Sequence, residues 1–181
     1  IKSFKMKNKR PKQGKLIVFE GPDGVGKTTL SKEIAKYLKE SGNDCELLSF
    51  PGRKPGTVGQ LIYDLHHEPS TFGVEGMTTA SQQMLHIAAH LDAIERHIVP
   101  AIKAGRTVIL DRYWWSTWVY GVVSGIDRKL LQTMIEPERM QWQNIKPSPI
   151  LFIHRDNPID RNVNLEHWQK LNQEYNILVA E

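Results

Sequence analysis

Gly21-Pro22-Asp23-Gly24-Val25-Gly26-Lys27-Thr28 decides how the rest of the chain is read. It fits G-x-x-x-x-G-K-[ST], a glycine-rich loop that turns backbone N–H groups and a helix N-terminus toward a phosphate chain. The flanks agree with that reading. Leu16-Ile17-Val18-Phe19 is a short apolar run suited to a buried parallel strand, and Leu30, Ile34 and Leu38 recur behind the loop at helical spacing. In such a loop Lys27 would reach the β- and γ-phosphates and the Thr28 hydroxyl would ligate Mg²⁺. The expectation is a nucleoside triphosphate site.

Working outward, Glu46-Leu47-Leu48-Ser49-Phe50 predicts a second strand and residues 57–65 a short helix. Residues 78–104 predict a long helical segment with Met84, Leu85, Ala88, Leu91, Ile94 and Ile98 on one apolar face, and Pro100 tightening its last turn. Thr107-Val108-Ile109-Leu110-Asp111 predicts a strand ending in a carboxylate, a Walker B-like place for Asp111 to approach Mg²⁺, directly or through water. A helix over 127–143, a strand at Ile150-Leu151-Phe152-Ile153 and a helix from Leu165 complete the reading. Alternating strands and helices imply an α/β fold with a doubly wound parallel sheet covered on both faces.

Composition sets the bounds. The 181 residues, 40% hydrophobic and 24% charged, suffice for one core. No apolar run approaches the ~20 residues of a membrane span, and no secretory signal is visible, so a cytoplasmic setting is expected. The single Cys45 excludes an internal disulfide and reads as a small buried side chain. Basic charge is concentrated in residues 1–15, which hold Lys2, Lys5, Lys7, Lys9, Arg10, Lys12 and Lys15 and no acid. The remainder has 17 basic against 20 acidic residues, a net of −3. The division is therefore a basic, solvated tail over 1–15 and a P-loop domain over 16–181. Nucleic-acid contact through the tail stands second to that.

Three segments together resemble thymidylate kinases: Phe19-Glu20-Gly21 through Thr28-Thr29, Phe50-Pro51-Gly52-Arg53, and Asp111-Arg112-Tyr113 followed by Ser116 and Tyr120. The resemblance runs from about Leu16 to Tyr175. It implies a P-loop nucleoside monophosphate kinase fold, ATP as donor with Mg²⁺, and a deoxynucleoside monophosphate, dTMP first, as acceptor. It places Gly21, Asp23, Gly24, Val25, Gly26, Lys27, Thr28 and Thr29 around ATP. On the acceptor side Asp23 would contact the sugar 3′-hydroxyl, Arg53 and Arg112 would hold the phosphate, and Tyr120 would close the site against a 2′-hydroxyl. Thr117 and Tyr175 join that set. Lys27 and Arg112 are the cations expected to offset charge in the transfer. The family is commonly dimeric through its helices, so a homodimer is a further expectation.

The chain also departs from the family. The base-reading helix carries His86, His90 and Asp92 where the family has Phe, Arg and, in many bacterial members, Gln. His86, His90 and His97 share a helix face, a spacing that could serve zinc, although a base-contacting or polar face is the preferred reading. Gly24 occupies the slot of a P-loop arginine, so the lid near 155–164 should supply one; it holds only Arg155 and Arg161, so either Arg161 serves or, the preferred expectation, further lid residues lie outside this sequence. The chain stops at Glu181 inside a helix, short of the family's last strand and helix, so an incomplete C-terminus is expected. Trp114 and Trp115 either line the acceptor pocket or pack between helices. Two alternatives stay open: a kinase for a modified nucleotide or a hydroxyl on DNA, and an ATP-binding regulatory protein without kinase activity.

Overall fold

The computed structural model describes residues 14–159 and 163–180. Most of the basic tail, part of the expected lid and Arg161 lie outside them. In chain order the elements are β1 (Leu16–Glu20), α1 (Lys27–Glu40), β2 (Cys45–Ser49), α2 (Val58–His67), α3 (Thr79–Ala93), α4 (Val99–Lys103), β3 (Thr107–Asp111), α5 (Trp114–Val123), α6 (Arg128–Trp142), β4 (Ile150–Phe152) and α7 (Leu165–Ala180). A 3₁₀ turn, Pro69–Phe72, follows α2.

The four strands are all parallel, in the order β2-β3-β1-β4. Strand side chains alternate between faces, and here both faces are apolar. Leu16 and Val18 of β1, with Val108 and Leu110 of β3, pack on Ile94, Ile98, Ala101, Ile102 and Trp142. Phe19 and Ile109 turn the other way, against Ala35 of α1 and Cys45. Each such aliphatic side chain stabilises the fold by roughly 1.5–3 kcal/mol on burial. Cys45 is indeed buried, its Sγ 3.3 Å from the Ala35 carbonyl oxygen.

Polar side chains set several helix starts. The Thr57 hydroxyl accepts from the Gln60 amide at 3.2 Å, and Asp127 accepts from Leu130 at 3.0 Å. The long segment before β3 is interrupted by a wide π turn over Ile94–Ile98, where the Val99 amide reaches back five residues to Ile94. Pro100 follows immediately and has no N–H of its own to continue the ladder. The apolar face of α3 also differs from expectation. Ile87, Ala89 and His90 are buried, whereas Met84 and Ala88 are exposed. The helix lies against α2, α5 and α6, and His90 is turned inward toward Glu138 of α6.

Candidate functional site

The phosphate loop leaves β1 at Gly21 and enters α1 at Lys27. Gly21 permits close approach, because a Cβ there would fall 2.3 Å from the Ile153 carbonyl oxygen. Gly26 caps α1 with φ 99°, a left-handed conformation that favours glycine. Lys27 is buried, and its Nζ donates to the Pro22 carbonyl at 2.6 Å. Burial, and next the Arg112 guanidinium, push its pKa down to about 8 against the pull of Asp23, Asp111 and Glu20.

Thr28 and Asp111, expected from the sequence to flank a cation, lie in contact. The Thr28 hydroxyl donates to Asp111 Oδ2 at 2.6 Å, while Asp111 Oδ1 is buried without a hydrogen-bond partner. A hard divalent cation such as Mg²⁺ takes one or two protein oxygens and fills its shell with phosphates and water. These two groups fit it. Among the described residues no cluster of three or more His, Cys, Asp or Glu side chains could hold a metal ion.

Arg112 follows β3 directly and adopts φ 79°, at a cost on the order of 1–2 kcal/mol for a non-glycine residue. Its amide continues the sheet by donating to the Phe19 carbonyl at 2.9 Å. Its side chain donates through Nη1 to the Ser116 hydroxyl at 3.0 Å and through Nη2 to Asp23 Oδ1. The Tyr120 hydroxyl donates to the other oxygen of the same carboxylate. Burial raises the Asp23 carboxyl, but Arg112 and the Tyr120 hydroxyl hold it below its ordinary value. Burial also pushes Tyr120 well up, keeping the phenol protonated as a donor. Asp23, Arg112 and Tyr120 are thus brought together at the C-terminal ends of β1 and β3, where open parallel sheets bind ligands.

Other expected residues are distributed differently. Arg53 is exposed, with its guanidinium carbon 4.2 Å from the Tyr63 ring centre. Thr117 is buried and its hydroxyl has no partner. His86 lies 3.0 Å from His66, one imidazole nitrogen facing another. Burial first, then the neighbouring His90, His66, His67 and Arg112, push its pKa down to about 3, so the ring is neutral. His90 is turned away into the interior, stacked flat on Phe50 at 4.0 Å with Nδ1 3.0 Å from Glu138 Oε2. His97 joins neither contact. Trp114 and Trp115 both pack on the core of Leu16, Val18, Ile94 and Trp142, with Trp114 also against Ile87 and Leu131 and Trp115 against Val119 and Leu171.

Tyr175 is fully buried, its hydroxyl 2.8 Å from Ser116 Oγ and 3.0 Å from Glu20 Oε2. Its hydroxyl thus meets Ser116, the residue that also anchors Arg112. Glu20, quoted in the sequence without a role, is the hub that sequence reasoning missed. Oε1 accepts the amides of Tyr113 (2.6 Å) and Ser116 (3.0 Å), and Oε2 accepts Gly21 (3.1 Å) and the Ser116 hydroxyl (2.9 Å). One carboxyl joins the P-loop, the start of α5 and α7. Burial raises its pKa despite Arg112, Ser116 and the Gly21 amide. The available signal was an acid closing an otherwise apolar buried strand.

A β2-β3-β1-β4 parallel sheet, a P-loop after β1 and an arginine-acid-tyrosine cluster at the strand ends define a P-loop protein of the nucleoside monophosphate kinase fold. Residues 19–177 match the family model described as thymidylate kinase. Curated relatives with that name include one from Desulfotalea psychrophila, 33% identical over 81% of this chain and 65% of its own length. Another, from Geobacillus sp., is 32% identical over 89% of this chain and 71% of its own. A solved thymidylate kinase from Ehrlichia chaffeensis shares the fold with a TM-score of 0.70 at 24% identity, covering 93% of this chain and 87% of that one. The chain belongs to the thymidylate kinase family. It spans 56% of the length of a relative from Dinoroseobacter shibae, at 37% identity over 67% of this chain. Among the described residues no helix is long and apolar enough to cross a membrane.

Proposed function

We propose that the chain transfers the γ-phosphoryl group of ATP to a deoxynucleoside monophosphate, dTMP first, giving ADP and the diphosphate. The observation that supports this reading is the Asp23–Arg112–Tyr120 cluster, a cation, an acid and a phenol in contact beside the phosphate loop. Two polyanions must approach each other, so the work is positioning and charge compensation. The acceptor phosphate is already ionised and needs no general base. Lys27 leaves the Pro22 carbonyl for the donor phosphates. Arg112, anchored on Ser116, presents its fork to the acceptor phosphate in two parallel hydrogen bonds. Asp23 then serves the sugar hydroxyl, and Tyr120 narrows the space beside it. Thr28 and Asp111 would hold Mg²⁺, which when bound neutralises charge on the β- and γ-phosphates. Arg161 is the lid cation expected to offset charge on the transferred phosphoryl group.

The test is to incubate the chain with radiolabelled ATP, Mg²⁺ and dTMP, dUMP or dCMP in turn. Labelled dTDP is the expected product. Transfer to none of the three ends the reading in favour of nucleotide binding alone. A second reading, an acceptor other than dTMP, is favoured by one observation: His90 faces Glu138 and Phe50 in the interior. Faster transfer to dCMP or dUMP than to dTMP would select it.

A further inference from the structure

We infer that Arg155 and Trp168, far from the P-loop in sequence, are positioning residues that hold its outer rim and thereby aim its N–H groups at the nucleotide. Three consecutive loop carbonyls receive donors from the chain after β4. The Asp23 carbonyl accepts the Trp168 indole N–H at 2.7 Å, and the Gly24 carbonyl accepts the Ile159 amide at 2.8 Å. The Val25 carbonyl accepts Arg155 Nε at 3.0 Å. With Lys27 on Pro22, each carbonyl from Pro22 to Val25 has a donor.

A trans peptide unit is planar, and its C=O and the next residue's N–H point in opposite directions. Pinning the carbonyls of Asp23, Gly24 and Val25 outward therefore directs the amides of Gly24, Val25 and Gly26 to the opposite side. Amides converging in this way make the concavity that binds a phosphate. The loop has glycine at 21, 24 and 26 and cannot hold such an orientation by its own torsional preferences. The donors supply it. Trp168 has a second handle on the site, because the residue whose carbonyl it holds is Asp23, the partner of Arg112. Trp168 is 1% exposed and seven residues before Tyr175, so two turns of α7 bear on the loop, one on Asp23 and the other through Glu20.

This inference rests on the P-loop as the donor site, and its test separates the two. Trp168→Phe keeps a buried ring and removes only the N–H, and Arg155→Met keeps the exposed stem and removes Nε. The first measurement is hydrogen exchange on the unliganded chain. Amides of residues 24–27 should exchange about fivefold faster in Trp168→Phe and about tenfold faster in Arg155→Met, with β1 and β3 unchanged. The second is calorimetric titration with ATP and Mg²⁺, in which Kd should weaken by similar factors. The double variant should fall short of their product, because both groups act on one loop. Loop exchange at the wild-type rate in both variants, or an unchanged Kd, overturns the inference. Failure of the unmodified chain to bind ATP overturns the donor-site reading instead, and the exchange measurement then decides the positioning role alone.

Discussion

The Thr28 hydroxyl lies 2.6 Å from the Asp111 carboxylate, so the first turn of α1 is tied to the end of a strand 83 residues away. The same carboxylate keeps its other oxygen buried and without a partner. Leaving a buried acceptor unsatisfied costs about 1–3 kcal/mol, which a bound cation would recover. Asp111→Asn keeps the shape of the side chain and removes its charge. Phosphoryl transfer should fall on the order of 10²-fold, and the Mg²⁺ concentration for half-maximal rate should rise. A magnesium titration of initial rates checks this; an unchanged magnesium requirement rejects Asp111 as the cation's carboxylate.

Lys27 gives a pH dependence of defined sign. Its folded pKa is about 8, below the ordinary 10.5, so the unfolded chain holds more protons between those values and stability rises with pH across that window. Phosphates beside Lys27 would favour its charged form. ATP binding should therefore take up a proton near pH 8.5 and weaken progressively above pH 8. Calorimetry in two buffers of different ionisation enthalpy reads the uptake directly. Lys27→Met should abolish it.

Removing the guanidinium at 112 should separate acceptor from donor. In Arg112→Ala the KM for dTMP should rise by about 100-fold or more, since a charge-assisted fork is lost. The Kd for ATP should change by no more than about threefold. Arg112→Lys, which keeps the charge without the fork, should recover only a part. Equal weakening of both substrates would show that Arg112 does not clamp the acceptor.

The His66–His86 contact makes an acid-sensitive wall between α2 and α3. His86 titrates near 3 when folded against 6.5 ordinarily, and burial lowers His66 as well. The stability held by a neutral His86 is complete above pH 6.5 and is lost as pH falls toward 3. His86→Phe should flatten the melting temperature between pH 6.5 and 4, measured by circular dichroism. An unchanged slope would assign the acid sensitivity to other groups.

Much of this architecture was legible in the chain because its signals are local. Leu16–Phe19 and Thr107–Asp111 are short apolar runs, and the loop after the first has a spacing that one backbone geometry explains. Local pattern also placed both ends of α6 and the start of α7 within a residue. What it missed depends on separation. Glu20 gathers donors from positions 113, 116 and 175, and nothing near Glu20 in sequence announces them. His90 reads as a base-facing position by resemblance, but Glu138, 48 residues on, draws it inward. Helical periodicity put Met84 and Ala88 on the apolar face, whereas packing chose Ile87 and His90. Arg161 lies outside the described residues, so its part in transfer is a matter for mutation.

The wide turn over Ile94–Ile98 has one further consequence, which is rotational. In an unbroken α-helix, positions 86, 90 and 97 would point within roughly 40° of a common direction. A π turn inserts about one extra residue into the winding, and so rotates the residues beyond it by about 100°. His97 lies within that turn, and so it leaves the line of His86 and His90. A single widened turn thus sets His97 apart from two imidazoles with which a straight helix would have aligned it, and the three do not form one ligand set.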